Sequence, residues 1–62
     1  MRPETADALI ARIQSIEADI GGLQSTVGEE ELETSERQYL ARCFDLLHME
    51  LTALRMYIDG LR

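Results

Sequence analysis

Asp45, His48 and Glu50 are the residues of this chain whose types and spacing could do metal or acid–base chemistry. Histidine carries protons and binds metals near neutral pH, and His48 is the only histidine. The Asp45-x-x-His48 spacing is related to the Glu-x-x-His pairs of di-metal helical bundles. In a helix, however, both residues fall on a polar strip, which favours a solvated Asp–His pair. A metal-binding helical bundle is kept as an alternative, and we expect neither catalytic residues nor a cofactor.

Cys43 is the second candidate for chemistry, because it is the only cysteine. A single thiol cannot form an intramolecular disulfide, and a free cysteine more often acts as a small hydrophobic residue. His48 lies five positions later on a different side of a helix, so it does not supply a base. The chain also has no nucleophile elbow and no glycine-rich phosphate loop. The sequence therefore predicts a protein that is not an enzyme.

Acidic residues are concentrated in the N-terminal half of the chain. The net charge is −6, and residues 1–35 account for all of it, because residues 36–62 hold equal numbers of acids and arginines. This balance argues against direct binding to nucleic acid or to anionic lipid. The densest cluster comprises Glu29, Glu30, Glu31 and Glu33. An inhibitor of phage or plasmid type, which mimics nucleic acid through this acidic docking surface, is a second alternative.

The ends and the apolar content of the chain predict its compartment. The segment from Met1 to Asp7 lacks the apolar run of a signal peptide. No stretch approaches the roughly 18 apolar residues that cross a membrane. We expect a cytoplasmic protein without membrane contact, in which the thiol stays reduced.

The first half of the chain predicts one amphipathic helix over about 4–26. Pro3 suits the first turn, and Gly28 is expected to end the helix in a left-handed conformation. Apolar residues recur in alternating steps of three and four, which is the pattern of a heptad seam. They are Ala6, Leu9, Ile13, Ile16, Ile20, Leu23 and Val27.

The second half predicts a longer helix over about 31–60, after a turn at about 27–31. Two structures are compatible with the sequence of the turn: Glu29–Glu33 forms an acidic first helical turn, which we favour, or it is a loop with Thr34 or Ser35 as N-cap. Seven-residue spacing places Leu40, Leu47, Leu54 and Leu61 in one row, with Phe44, Leu51 and Ile58 between them.

These elements predict an all-α, antiparallel two-helix hairpin that forms a single domain over 1–62. The predicted core within the hairpin consists of one seam from each helix. It comprises Leu9, Ile13, Ile16, Ile20, Leu23, Leu40, Phe44, Leu47 and Leu51.

The second helix is apolar on more sides than one partner helix can cover. We define the rear row as Tyr39, Leu46, Met49, Ala53 and Met56. The greater predicted length of the second helix also leaves an overhang with Leu54, Tyr57, Ile58 and Leu61. A second copy is expected to cover the rear row and the overhang, which together form the predicted interface, and to complete a homodimeric four-helix bundle. The predicted function is therefore an acidic, non-enzymatic protein–protein interaction module (an adaptor, chaperone-like protein or inhibitor) that binds itself and another protein.

Overall fold

The chain folds as two antiparallel helices joined by a short loop. The computed structural model describes all 62 residues, and it contains no strand. Helix α1 spans Pro3–Glu29 and helix α2 spans Thr34–Leu61. The two helices pack against each other along their length, which confirms the predicted all-α hairpin. Neither helix has a stretch long and apolar enough to span a membrane.

Helix α1 runs further than its sequence pattern indicated. Pro3 occupies the start of the helix, where its missing N–H is tolerated. Gly21 and Gly22 remain inside the helix, although each glycine costs about 1 kcal/mol relative to alanine. Gly28 is also helical, and no residue has a positive φ. The prediction that Gly28 ends the helix in a left-handed conformation was wrong, because Gly28 keeps a helical conformation and the helix continues to Glu29.

The loop over residues 30–33 is held by side chains at the start of α2. The Nη2 atom of Arg37 donates a hydrogen bond of 2.6 Å to the carbonyl oxygen of Glu30. Glu33 is the N-cap of α2, and its side chain and that of Glu36 form a reciprocal capping box. The backbone N–H of Glu33 donates to Oε1 of Glu36 at 3.0 Å. Our preferred acidic helical turn was therefore wrong, and the loop alternative was closer, with the cap one residue before Thr34.

The two helices have nearly equal lengths of 27 and 28 residues. Their free ends lie level, since the Met1 ammonium donates to the carbonyl oxygen of Leu61 at 3.2 Å. The predicted C-terminal overhang is therefore absent. It disappears because α1 ends three residues later than predicted and α2 begins three residues later, and both changes reduce the difference in length.

The core of the hairpin is small. Ala6, Ile13 and Ile58 form one buried cluster, against which Ile10 and Leu51 pack. Phe44 is the other buried residue, so four of the 62 residues are buried. Ile58 was assigned to the interface with another chain, but it is 6% exposed inside the hairpin. With no overhang, Ile58 lies level with the start of α1 and packs beside Ala6.

Candidate interaction surface

The contact between the helices has a polar edge, which we define as Asp7, Glu17 and Gln24 of α1 with His48, Arg55 and Arg62 of α2. His48 Nε2 and Gln24 Oε1 are 3.1 Å apart and hydrogen-bonded. Arg55 Nε lies 3.7 Å from Glu17 Oε1, and Arg62 forms an ion pair with Asp7. The three α2 residues are spaced by seven, so they recur on one side of the helix. This edge fixes the register of α1 against α2.

Arg62 makes the most hydrogen bonds of the polar edge. Its Nε and Nη2 atoms donate to Oδ1 of Asp59 at 2.8 and 2.6 Å, while Nη1 donates to Asp7. The hydrogen bond and charge of Asp59, followed by the charge of Asp7, raise the pKa of the Arg62 guanidinium. Arg62 therefore joins the two helices at their free ends as a permanent cation.

Glu17 is the weakest member of the polar edge. Its Oε1 atom is buried and accepts no hydrogen bond, because the 3.7 Å separation from Arg55 Nε exceeds a hydrogen-bond distance. The two side chains are 24% and 35% exposed. Their attraction is therefore partly screened by water, and an ion pair of this kind is worth at most about 1 kcal/mol.

An exposed apolar surface lies on the opposite side of the buried core from the polar edge. Five of its six residues directly precede a polar-edge residue, as Ile16 precedes Glu17 and Leu54 precedes Arg55, which is a rotation of about 100° about the helix axis. The antiparallel register places both rows on the same side of the hairpin, with Ile16 level with Leu54. We call this surface the leucine face, and it comprises Leu9, Ile16, Leu23, Leu47, Leu54 and Leu61.

Four residues of the leucine face were predicted to belong to the hairpin core, and this prediction was wrong. Leu9, Ile16, Leu23 and Leu47 were expected to pack inside the hairpin, but they are 40%, 45%, 53% and 42% exposed. Of the remaining predicted core residues, Ile13 and Phe44 are buried, whereas Ile20, Leu40 and Leu51 are half-buried. The apolar stripe of each helix is wider than one helix–helix contact can cover. Each helix is rotated about its axis so that the polar-edge side lies at the helix–helix contact, and the leucines of the other side remain exposed to solvent.

The rear row of α2 is exposed as well. Tyr39, Met49 and Met56 are each 67–68% exposed, and Leu46 is 52% exposed. Met49, Ala53 and Met56 line an open groove of about 370 Å³ together with His48 and Thr52. Tyr57, which was predicted to belong to the overhang, is 66% exposed near this row. Leu54 and Leu61, also assigned to the overhang, belong to the leucine face.

The residues considered for chemistry do not come together. His48 is hydrogen-bonded to Gln24 and not to Asp45, so the predicted solvated Asp–His pair does not form. No group of three or more His, Cys, Asp or Glu side chains is placed to hold a metal ion. The thiol of Cys43 is half-buried, as expected for a cysteine beside an apolar seam.

The acidic docking surface is exposed around the loop. Glu29, Glu30, Glu31 and Glu33 are all accessible, but Glu33 is already engaged in the cap of α2. None of the four carboxylates takes part in an ion pair within the chain. Mimicry of nucleic acid by this segment stays a prediction.

The polar edge is the feature that the sequence analysis missed. Its signal was present as complementary residues at seven-residue spacing: Glu17 and Gln24 in α1, and His48, Arg55 and Arg62 in α2. Within a single helix these residues form only a polar strip. Pairing them in the antiparallel direction would have identified the side of each helix that faces the other.

The surfaces of the hairpin are the basis for inferring its function. No protein-family model matches the chain, and neither a curated protein nor a solved structure is significantly similar to it.

Proposed function

We propose that this protein is a small, non-enzymatic protein–protein interaction module that acts as a homo-oligomer through helix α2. The observation that carries the proposal is the imbalance between its interior and its surface. Four residues are buried, whereas twelve large apolar side chains are at least 39% exposed. Eight of these twelve lie on α2. A protein–protein interaction module needs an exposed apolar surface of this kind to bind its partner.

The size of the chain supports an assembled state. A domain of about 60 residues buries only about 60% of the surface that its unfolded chain exposes, and such domains often depend on disulfides, metals or oligomerisation. The single cysteine leaves no intramolecular disulfide. Contiguous apolar patches of several hundred Å² on a small protein are typical of surfaces that bind another protein. Oligomerisation would cover the leucines that the hairpin itself leaves in water.

The hairpin has a second surface available for a partner other than itself. The rear row contains two methionines and an aromatic residue, and methionine surfaces adapt to partners of different shape. An adaptor, chaperone-like protein or inhibitor in the cytoplasm would use this row while the copies are held together elsewhere. A homo-oligomer would also present the row more than once, which strengthens binding to a partner with repeated sites.

Size-exclusion chromatography with light scattering tests the proposal. The chain has a mass of 7.0 kDa, so a stable dimer at micromolar concentration would have twice that mass. The midpoint of thermal unfolding should also rise with protein concentration, because association stabilises the folded state. A monomer that stays fully helical and unfolds at the same temperature at every concentration would overturn the proposal.

A further inference from the structure

The leucine face has the dimensions that a dimer interface needs. The hairpin is a flat layer that measures 46 × 16 × 7 Å between its Cα atoms. One broad side therefore has a projected area of about 700 Å² between Cα atoms. Because the accessible area of a side exceeds its projection, this side is large enough to supply the roughly 800 Å² that each partner contributes to a stable interface. The leucine face occupies this side along nearly its whole length. A second surface of the same length and width would cover it completely.

The leucine face is complementary to itself. Its rows are spaced by seven residues and are centred on Ile16 in α1 and on Leu54 in α2. A two-fold axis that lies in the plane of the interface, perpendicular to both helices, and that crosses over Ile16 and Leu54 stacks α1 on α1 of a second copy and α2 on α2. Leu9 then lies over Leu23 of the second copy, and Leu47 lies over Leu61. Each large apolar residue meets another one, as an isologous interface requires.

Charges at the rim of the leucine face distinguish this orientation from its alternative. Arg12 and Asp19 lie on the outer rim at nearly equal distances from Ile16, and neither forms an ion pair within the chain. The two-fold axis places Arg12 opposite Asp19 of the second copy, twice per dimer. An axis parallel to the helices would instead stack α1 on α2 and place Asp19 opposite Glu50. Like charges in that position are unfavourable.

The ends of the hairpin favour the same orientation. The acidic loop lies at one end of the 46 Å layer, and Arg2 lies at the other. The perpendicular two-fold axis keeps the two loops at opposite ends and places Arg2 beside Glu30 of the second copy. The parallel axis would put both loops together. Since each chain has a net charge of −6, that arrangement would concentrate repulsion at one end of the dimer.

We infer that the leucine face binds a second copy of this chain, with α1 antiparallel to α1 and with Arg12 paired to Asp19 across the interface. This inference rests on the proposed homo-oligomeric function and specifies its interface. It assigns the second copy to the leucine face instead of the rear row. The rear row consequently remains on the outside of the dimer.

Two glutamate substitutions separate the two surfaces by light scattering. Ile16→Glu places two carboxylates against each other at the two-fold axis, so its mass should fall to that of the monomer. Met56→Glu is the matched control, because it introduces the same charge on the rear row and should leave the dimer mass unchanged. The opposite pattern would refute the inference and preserve the proposed function. A monomeric wild-type chain would refute both.

Charge reversal at the rim tests the orientation. Asp19→Arg alone should raise the dimer Kd on the order of 10-fold, because two attractive pairs become repulsive. Arg12→Glu should have a similar effect. An equimolar mixture of the two variants should recover tight binding as a heterodimer, in which both pairs are again attractive. Tighter self-association of Asp19→Arg would overturn the inference, since it would indicate pairing with Glu50.

The single cysteine allows the distance between the two copies to be measured without any substitution. Cys43 lies eleven positions before Leu54, so a nitroxide on Cys43 of each copy should give a separation of about 33 Å along the axis. The parallel orientation would hold the two labels under about 20 Å apart, across the diagonal between the two α2 helices. Double electron–electron resonance on the labelled wild-type dimer distinguishes these two distances. A short distance would refute the arrangement with α1 antiparallel to α1.

Discussion

The two sides of the helix–helix contact use the same spacing for opposite purposes. On the polar edge, Gln24 faces His48 and Glu17 faces Arg55 at seven-residue intervals. On the leucine face, Ile16 and Leu54 recur at the same intervals and remain 45% and 47% exposed. The polar edge is completed by the chain's own second helix. The leucine face is not completed by anything in the chain.

This difference shows which residues determine the fold and which determine its association. A slip of α2 along α1 would separate each charged or hydrogen-bonding group from its partner, so the polar edge specifies one register. A slip of the leucine face by seven residues would place leucine on leucine again. Apolar rows supply most of the buried area in helical assemblies, whereas polar pairs supply specificity.

Phe44→Ala should have the largest effect, because Phe44 has the largest of the four buried side chains. We expect a loss of about 3–5 kcal/mol in the free energy of unfolding, measured by urea denaturation followed by circular dichroism. Tyr39→Ala is the control, since Tyr39 is an exposed aromatic residue of the same helix. Its loss should stay within about 0.5 kcal/mol. Equal losses of stability for Phe44→Ala and Tyr39→Ala would mean that Phe44 does not belong to a stabilising core.

Leu54→Ala should weaken the leucine face without altering the polar edge. We expect a loss of about 2 kcal/mol per copy in the stability of the dimer, seen as a concentration-dependent fall in the thermal midpoint. Leu46→Ala is a close match, because the two leucines are 47% and 52% exposed in the hairpin. A similar loss from Leu46→Ala would mean that exposure alone, and not the leucine face, determines the effect.

Gly22→Ala should stabilise α1 while leaving both sides of the contact unchanged. An added Cβ at Gly22 has open space around it, and alanine favours a helix interior by about 1 kcal/mol over glycine. Thermal denaturation should show a higher midpoint. The same change at Gly28 should give a smaller gain, because Gly28 lies in the last turn, where helices fray. A lower midpoint for Gly22→Ala would contradict the continuous helix.

Glu17→Leu should have the smallest effect on stability. The variant loses an ion pair worth at most about 1 kcal/mol, and it removes a buried oxygen that has no hydrogen-bond donor. We expect a urea midpoint equal to or slightly above that of the wild type. Glu17→Lys, which places a like charge opposite Arg55, should lower the midpoint. A large loss from Glu17→Leu would show that the polar edge stabilises the fold as well as aligning it.

The sequence was sufficient to predict the two helices and their antiparallel packing. Heptad spacing depends on residue type alone, and it identified Ile13 and Phe44 as core residues. It could not decide which side of a wide apolar stripe faces the neighbouring helix, because Ile16 and Ile20 are equally suitable. That choice depends on cross-helix pairs such as Gln24 with His48. The loop was ambiguous because glutamate suits a helix start and a loop almost equally, and the capping box with Glu36 resolved it.

The thickness of the hairpin, 7 Å between Cα atoms, has a consequence for its abundance in a cell. A single layer of two helices buries only four residues by itself, and the rest of its apolar surface stays in water until another layer covers it. If the chain folds only as the proposed dimer, folding and association are one equilibrium, and dilution unfolds the protein. The fraction of folded chain would depend steeply on expression level. At concentrations below the dissociation constant, most chains would be unfolded and open to proteolysis. Synthesis rate alone could therefore set how much active protein a cell contains.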